Sequence, residues 1–180
     1  VDVWGIDPAL QRKVIKLDAA MKTGSAAALT GRPEGTRQGI LLGKDLADSL
    51  GVARGDSVTL VTPSGTLSPW GTLPIPKTLT VVGTFAFGFY EFDQSSAFIS
   101  LEAAEQMFKK EGPDLLQLRL VDMNAAPRFS QQLQQQLGRD YVVDDWVHLN
   151  KSLYSALGLE KLAISLTIGL IVMVAALNIV

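Results

Sequence analysis

The sequence predicts a mixed α/β domain, of the α+β kind, that ends in a membrane-length helix. Three observations carry this. Compact β-branched or alternating runs take turns with segments of helical spacing, and one strand–strand hairpin interrupts the alternation. Residues 162–180 carry no charge, and their polar side chains are Ser165, Thr167 and Asn178. The 180 residues are 47% hydrophobic and 19% charged, which excludes a disordered chain and suffices for one core-bearing domain.

The elements follow in order. Residues 1–6 form a short apolar strand. Asp7 is placed to cap a helix with Pro8 at its first position, and Leu10, Val14, Leu17 and Met21 recur at helical spacing. Residues 24–35, rich in Gly, Ser and Ala, read as a loop. Residues 39–43 (GILLG) are a buried strand, and Leu46 and Leu50 mark a short helix closed by Gly51. Arg54-Gly55-Asp56 turns into a strand over 57–62; a second strand runs over 78–85 and a short one over 97–100. Ser100 caps a helix with Leu101, Ala104 and Phe108 on its apolar face. Residues 115–121 alternate as a strand, Phe129, Leu133 and Leu137 line a Gln-rich helix, and 141–146 make a last strand. Leu149, Leu153 and Leu157 begin a helix that can run straight into the uncharged segment.

That segment explains the mean hydropathy of +0.23. At about 1.5 Å per residue it spans most of a hydrocarbon layer about 30 Å thick. Glu160 and Lys161 stand before it as a collar, and it lacks the polar stripe of a core helix. Its position excludes a signal peptide. The chain stops within or at the edge of this run and starts without Met in a strand, so we expect the natural protein to continue at both ends.

Little in the sequence points to catalysis. Lys plus Arg is 16 against 18 for Asp plus Glu, a net charge of −2 that argues against a nucleic-acid surface. The absence of Cys excludes disulfides, thiol catalysis and cysteine–zinc sites. The one histidine, His148, cannot build a multi-histidine metal site, and no G-x-S-x-G is present. Asp144 and Asp145, adjacent on a strand, point to opposite faces and read as solvated. Gly39 to Asp45 imitates a phosphate loop, but three bulky residues separate its glycines and an aspartate follows Lys44. No catalytic residue, metal or cofactor is expected.

Residues 63–76 (PSGTLSPWGTLPIP) are longer than an ordinary hairpin loop. Pro63, Pro69, Pro74 and Pro76 stiffen them, with Trp70 and Gly71 near the middle. Two readings stand open: a rigid docking device with Trp70 as anchor, or a loop that folds Trp70 back onto the domain. The aromatic run 85–92 (FAFGFYEF) lacks interleaved cations, which favours core packing or a subunit interface over base stacking.

The run GILLGKDLADSLGVARGDSVTLVTPSG resembles the periplasmic core of lipoprotein-releasing ABC transporter permeases of the LolC and LolE type. So do the stretch from VVGTF to Gly88-Phe89-Tyr90-Glu91-Phe92-Asp93, and the passage from Trp146 through Asn150, Leu153, Leu157 and Glu160-Lys161 to Ala175-Ala176-Leu177-Asn178-Ile179. The order and spacing across 39–180 carry the resemblance, and the first part of the chain fits loosely. The resemblance implies a MacB-like periplasmic core over 1–156, with a proline-rich β-hairpin hook at 63–76, and the start of a membrane helix at 157–180 of a four-span permease. It implies a non-catalytic subunit of the bacterial inner membrane that passes lipoproteins to a LolA-like periplasmic chaperone. A LolD-like cytoplasmic ATPase chain drives it, beside a second permease subunit or a second copy. The hook would be Pro63, Pro69, Trp70, Gly71 and Pro74, and the supporting pad Thr59, Pro76 and Lys77, of which Lys77 alone is basic. The retained proline frame favours the LolC type over LolE, and a hybrid subunit acting as a homodimer is a further option. Competing expectations are a MacB-like efflux or mechanotransducing permease, a single-span anchored binding protein, and an anchored enzyme, for which no nucleophile–base pair is found.

Overall fold

A computed structural model describes residues 1–30, 36–68 and 71–179; stretches 63–68, 71–75 and 178–179 are described by their backbone. The described residues divide into two compact units, Val1–Arg119 and Leu120–Val180.

The first unit is built on a mixed six-stranded sheet: β1 (Asp2–Ile6), β2 (Met21–Gly24), β3 (Gly39–Gly43), β4 (Ser57–Ser68), β5 (Gly71–Phe85) and β6 (Ser96–Ser100). The order is β1-β6-β3-β5-β2, with β4 also on β5. β1 lies parallel to β6 and β3 parallel to β5, while β3–β6, β2–β5 and β4–β5 are antiparallel. Both faces are covered. Ile40, Leu42, Val81 and Ile99 pack on one side with Leu46 and Ala47 of α3 (Lys44–Leu50) and Ala103 of α5 (Leu101–Phe108). Leu41, Val82, Phe85 and Phe98 pack on the other with Leu17, Ala26 and Leu29. This two-sided burial is why GILLG reads as a continuous apolar run: successive side chains enter opposite cores.

The helices that punctuate the sheet are capped as expected. Asp7 accepts from the backbone N–H groups of Ala9 and Leu10 at the start of α1 (Pro8–Val14). Gly51 closes α3 in the left-handed region at φ 65°, and Ser100 Oγ accepts from Ala103 N.

Several expectations change. The helix expected from Pro8 to Met21 breaks at Ile15, which is extended; α2 (Leu17–Ala20) follows, and Met21 opens β2. Helical spacing was satisfied by a side chain that the sheet recruits, because Met21 pairs with Phe85. Gly24 ends β2 and Ala26–Leu29 form a 3-10 turn, so part of the expected loop is ordered, while 31–35 lie outside the described residues. The aromatic run divides: Phe85 is fully buried, whereas Phe89 and Tyr90 at the start of α4 (Tyr90–Ser95) are exposed. The strand expected over 115–121 pairs with none of the described strands.

In the second unit, α6 (Ala126–Leu137) is the expected Gln-rich helix. The strand expected over 141–146 pairs with none of the described strands; the segment is irregular and leads into α7 (Trp146–Leu149). Asp145 is therefore not a solvated strand residue. Its Oδ1 accepts from Val147 N and His148 N, both at 2.9 Å, and its Oδ2 accepts from Ser130 Oγ at 2.9 Å. Past Asn150, α8 runs unbroken from Lys151 to Ile179. Its 29 residues extend roughly 43 Å at the rise of an α-helix.

Candidate functional site

β4 and β5 continue the sheet into a two-stranded ribbon. The 80–85 part of β5 pairs with β3, while its 71–79 part pairs with β4 alone among the described strands. Those nine ribbon positions reach about 30 Å at the strand rise. The segment expected as a loop over 63–76 is thus mainly paired backbone, with Thr66↔Leu73, Leu67↔Thr72 and Ser68↔Gly71 in register. Prolines lack the N–H that a ladder needs. The ribbon accommodates Pro63 and Pro74 at a register shift between Thr62 and Thr66, where neither is a ladder partner. Pro76 does stand in register, opposite Val61. Pro69 and Trp70 lie outside the described residues.

The pleat sorts the pad positions. Residues directly opposite in an antiparallel pair share a face, and faces alternate along each strand. Thr59↔Thr78 and Val61↔Pro76 set Thr59 and Pro76 on one face. Leu60↔Lys77 sets Lys77 on the other, the face whose Val58, Leu60 and Leu79 pack toward the core. All three pad residues are exposed, but Lys77 is separated from the other two by the thickness of the ribbon.

A cation does reach the Thr59 side. Arg37 Nη1 donates to Ser57 Oγ at 2.8 Å, and Ser57 shares the face of Thr59 and Pro76. Sequence reasoning missed Arg37 because it lies 20 positions upstream and joins the ribbon only through the sheet order.

The remaining polar constellations are structural. Asp93 is 2% exposed and accepts from Phe87 N and Gly88 N, each at 2.9 Å, fixing the turn from β5 into α4. The phosphate-loop imitation is strand β3, where a Cβ on Gly43 would run into the Asp93 carbonyl. Ser130 bonds to Asp145, whereas the nearest carboxylate to His148 Nε2 is that of Asp144 at 3.9 Å. The His148 N–H first, and then Ser130, hold the Asp145 carboxyl below the ordinary carboxylate range. Among the described residues no cluster of His, Asp and Glu could hold a metal ion.

Lys151–Leu177, with mean hydropathy 2.0, is long and apolar enough to cross a membrane. A soluble core helix of this length would be buried; here every residue with a described side chain is exposed, and the run is far from the N-terminus. Thr167 Oγ1 donates to the Ala163 carbonyl at 2.9 Å, which satisfies its hydroxyl within the helix as lipid requires. An α+β domain with a projecting ribbon, joined to a lipid-suited helix, defines the class: a membrane-anchored protein with a large extramembrane domain.

No family model matches the chain. Among curated proteins it is 36% identical over 176 residues to the lipoprotein-releasing system transmembrane protein LolC of Xylella fastidiosa, in strains Temecula1 and 9a5c. That alignment covers 98% of this chain and 42% of the relative. The LolC protein of Neisseria meningitidis serogroup B is 36% identical over 183 residues, covering all of this chain and 43% of the relative. The chain spans less than half the length of these relatives. Over nearly its whole length the chain is similar to these LolC proteins, which supports a place in the LolC/LolE family.

Proposed function

We propose that the chain is the periplasmic domain and membrane-helix start of a LolC-type ABC transporter permease, and that its β4–β5 ribbon docks a periplasmic lipoprotein chaperone. The transporter would release lipoproteins from the bacterial inner membrane and pass them to that chaperone. The observation that carries the reading is the ribbon: a proline-framed, two-stranded projection at the positions where the family resemblance sets the hook. A prefolded projection loses little conformational freedom on binding, so more of its contact energy remains as affinity. Trp70 supplies the apolar anchor, and burying an indole contributes a few kcal/mol, about 2–4 for an interface hot spot. The Thr59–Pro76 face, with Arg37 at its base, is the polar support, and Lys77 acts from the opposite face.

In this reading ATP hydrolysis belongs to a separate cytoplasmic chain, and a second permease subunit or a second copy completes the membrane part. Helix α8, unbroken over 29 residues, carries displacement as a rigid element. The LolC relatives favour this reading over a MacB-like efflux permease or a single-span binding protein.

The test is chaperone capture by the full-length transporter in nanodiscs. Trp70→Asp is expected to weaken capture at least about tenfold, the loss of a little over 1.4 kcal/mol. Lys77→Glu and Arg37→Glu are expected to weaken it less, and more visibly at low salt. Unchanged capture by Trp70→Asp removes the ribbon from this role.

A further inference from the structure

The first unit holds an open cavity of about 730 Å³, within the range of small-ligand sites. Buried Ile6 of β1 and Phe98 of β6 form its base, and Phe108 of α5 lines its side. Gly5 keeps the base closed, because a Cβ there would run into that of Ala104 and push α5 off β1. At the rim stand Leu10 of α1, 57% exposed, Leu116, 77% exposed, and Leu118, 56% exposed. Large apolar side chains this exposed, gathered round one concavity, mark a binding site and not a scatter of surface residues. The polar lining is mostly committed. Asp7 caps α1, Gln11 Nε2 donates to Gln117 Oε1 at 3.4 Å, and Lys110 Nζ reaches both carboxylate oxygens of Asp114, at 2.8 and 2.7 Å. That leaves Lys13 and Arg119, neither in an ion pair among the described residues, against the single carboxylate of Glu105.

We propose that this cavity holds an acyl chain of an anionic membrane phospholipid, with the lipid phosphate at Lys13 and Arg119. The apolar base and rim suit a hydrocarbon chain, and the surplus of cation over carboxylate in the lining suits a phosphate head. A peptide would bring backbone N–H and C=O groups into an apolar concavity whose polar side chains are mostly engaged, a cost that an acyl chain does not incur. Helix α8 suits the protein to a bilayer, where phospholipid is the amphiphile at hand. An acyl chain that leaves a bilayer for this cavity exchanges one apolar surrounding for another, so the head contacts decide occupancy. Binding therefore follows head charge and ionic strength. The cavity and the paired ribbon share no residue, so this site stands apart from chaperone docking.

The experiment is photolabelling of the full-length protein in nanodiscs that contain phosphatidylglycerol with a diazirine near the end of one acyl chain. Labelled peptides are mapped by mass spectrometry, with α8 as the internal control for contact with the bilayer. Peptides covering 8–15 and 115–119 are expected to carry label beside those of α8. Lys13→Glu together with Arg119→Glu should lower labelling of the cavity peptides at least about tenfold at low salt and leave α8 unchanged. Leu10→Asp should do the same, and Leu10→Met should keep the label. Labelling confined to α8 overturns the proposal. So does equal labelling of the charge-reversed protein, or labelling of the cavity by a diazirine fatty acid and not by the phospholipid.

Discussion

Replacing Asp93 with alanine should open the turn between β5 and α4 while leaving the sheet intact. Its carboxylate is nearly inaccessible, and each oxygen accepts one backbone N–H, from Phe87 and from Gly88, at 2.9 Å. Hydrogen bonds to a charged partner contribute about 1.5–3 kcal/mol each, and an N–H left without a partner costs a similar amount. The two bonds are parts of one clamp and do not add fully, so we take about 3 kcal/mol for the pair. At about 1.4 kcal/mol per tenfold, the Phe87 and Gly88 amides should exchange with solvent on the order of a hundredfold faster. Asp93→Asn keeps one acceptor oxygen and should show roughly a tenfold effect. The readout is residue-resolved hydrogen exchange on the full-length protein, with the Ile40 and Val81 amides as internal controls in the central strands. Exchange at Phe87 and Gly88 within about twofold of the parent would falsify the clamp. A rise of equal size at Ile40 and Val81 would show global unfolding instead of local opening, and would refute the claim that the clamp is local.

Two further expectations follow from the second unit and the helix. Asp145 titrates below the ordinary carboxylate value of 3.8 when folded, so its contribution is present at neutral pH and is lost as pH falls below 3.8 through the folded value. Protection of the Val147 and His148 amides, relative to the intrinsic rate at each pH, should therefore fall on acidification through that window, and Asp145→Ala should remove this pH dependence of protection; a dependence that survives the substitution refutes the cap. Ile171→Arg places a charge near the middle of the apolar run, at an insertion cost of about 2.5–3.5 kcal/mol, and should move a measurable fraction of the protein into the alkaline-extractable pool. Complete retention in the membrane fraction would speak against α8 as the span.

The family was legible because its motifs are strings: GILLGKDLADSLG is a buried strand, a short helix and its glycine cap in one reading frame. Capping residues were legible for the same reason, since Asp7, Gly51 and Ser100 act on neighbours within three or four positions. The membrane helix was legible because lipid imposes a composition, and composition needs no fold to be read. What failed were inferences in which a residue's partner is remote. From the residues alone Pro63, Pro74 and Pro76 made a stiff loop, whereas the family resemblance implied a β-hairpin, and a register shift accommodates two of the three prolines inside the paired ribbon. The spacing of Met21 matched a helix, but β5 claimed it. Residues 141–146 have the pattern of a strand and find no partner among the described residues, because a strand is a property of a pair and not of a segment.

By itself, then, the sequence determined the family likeness, the membrane-length helix, the local caps and the burial of β3, all legible from near neighbours or from composition. Only the tertiary structure decided the register of the proline ribbon, that Lys77 lies across it from Thr59 and Pro76, and that Arg37 reaches its base. Each of those depends on strand register and sheet order, and a shift of one residue in register exchanges the faces of a ribbon without changing a letter of the sequence.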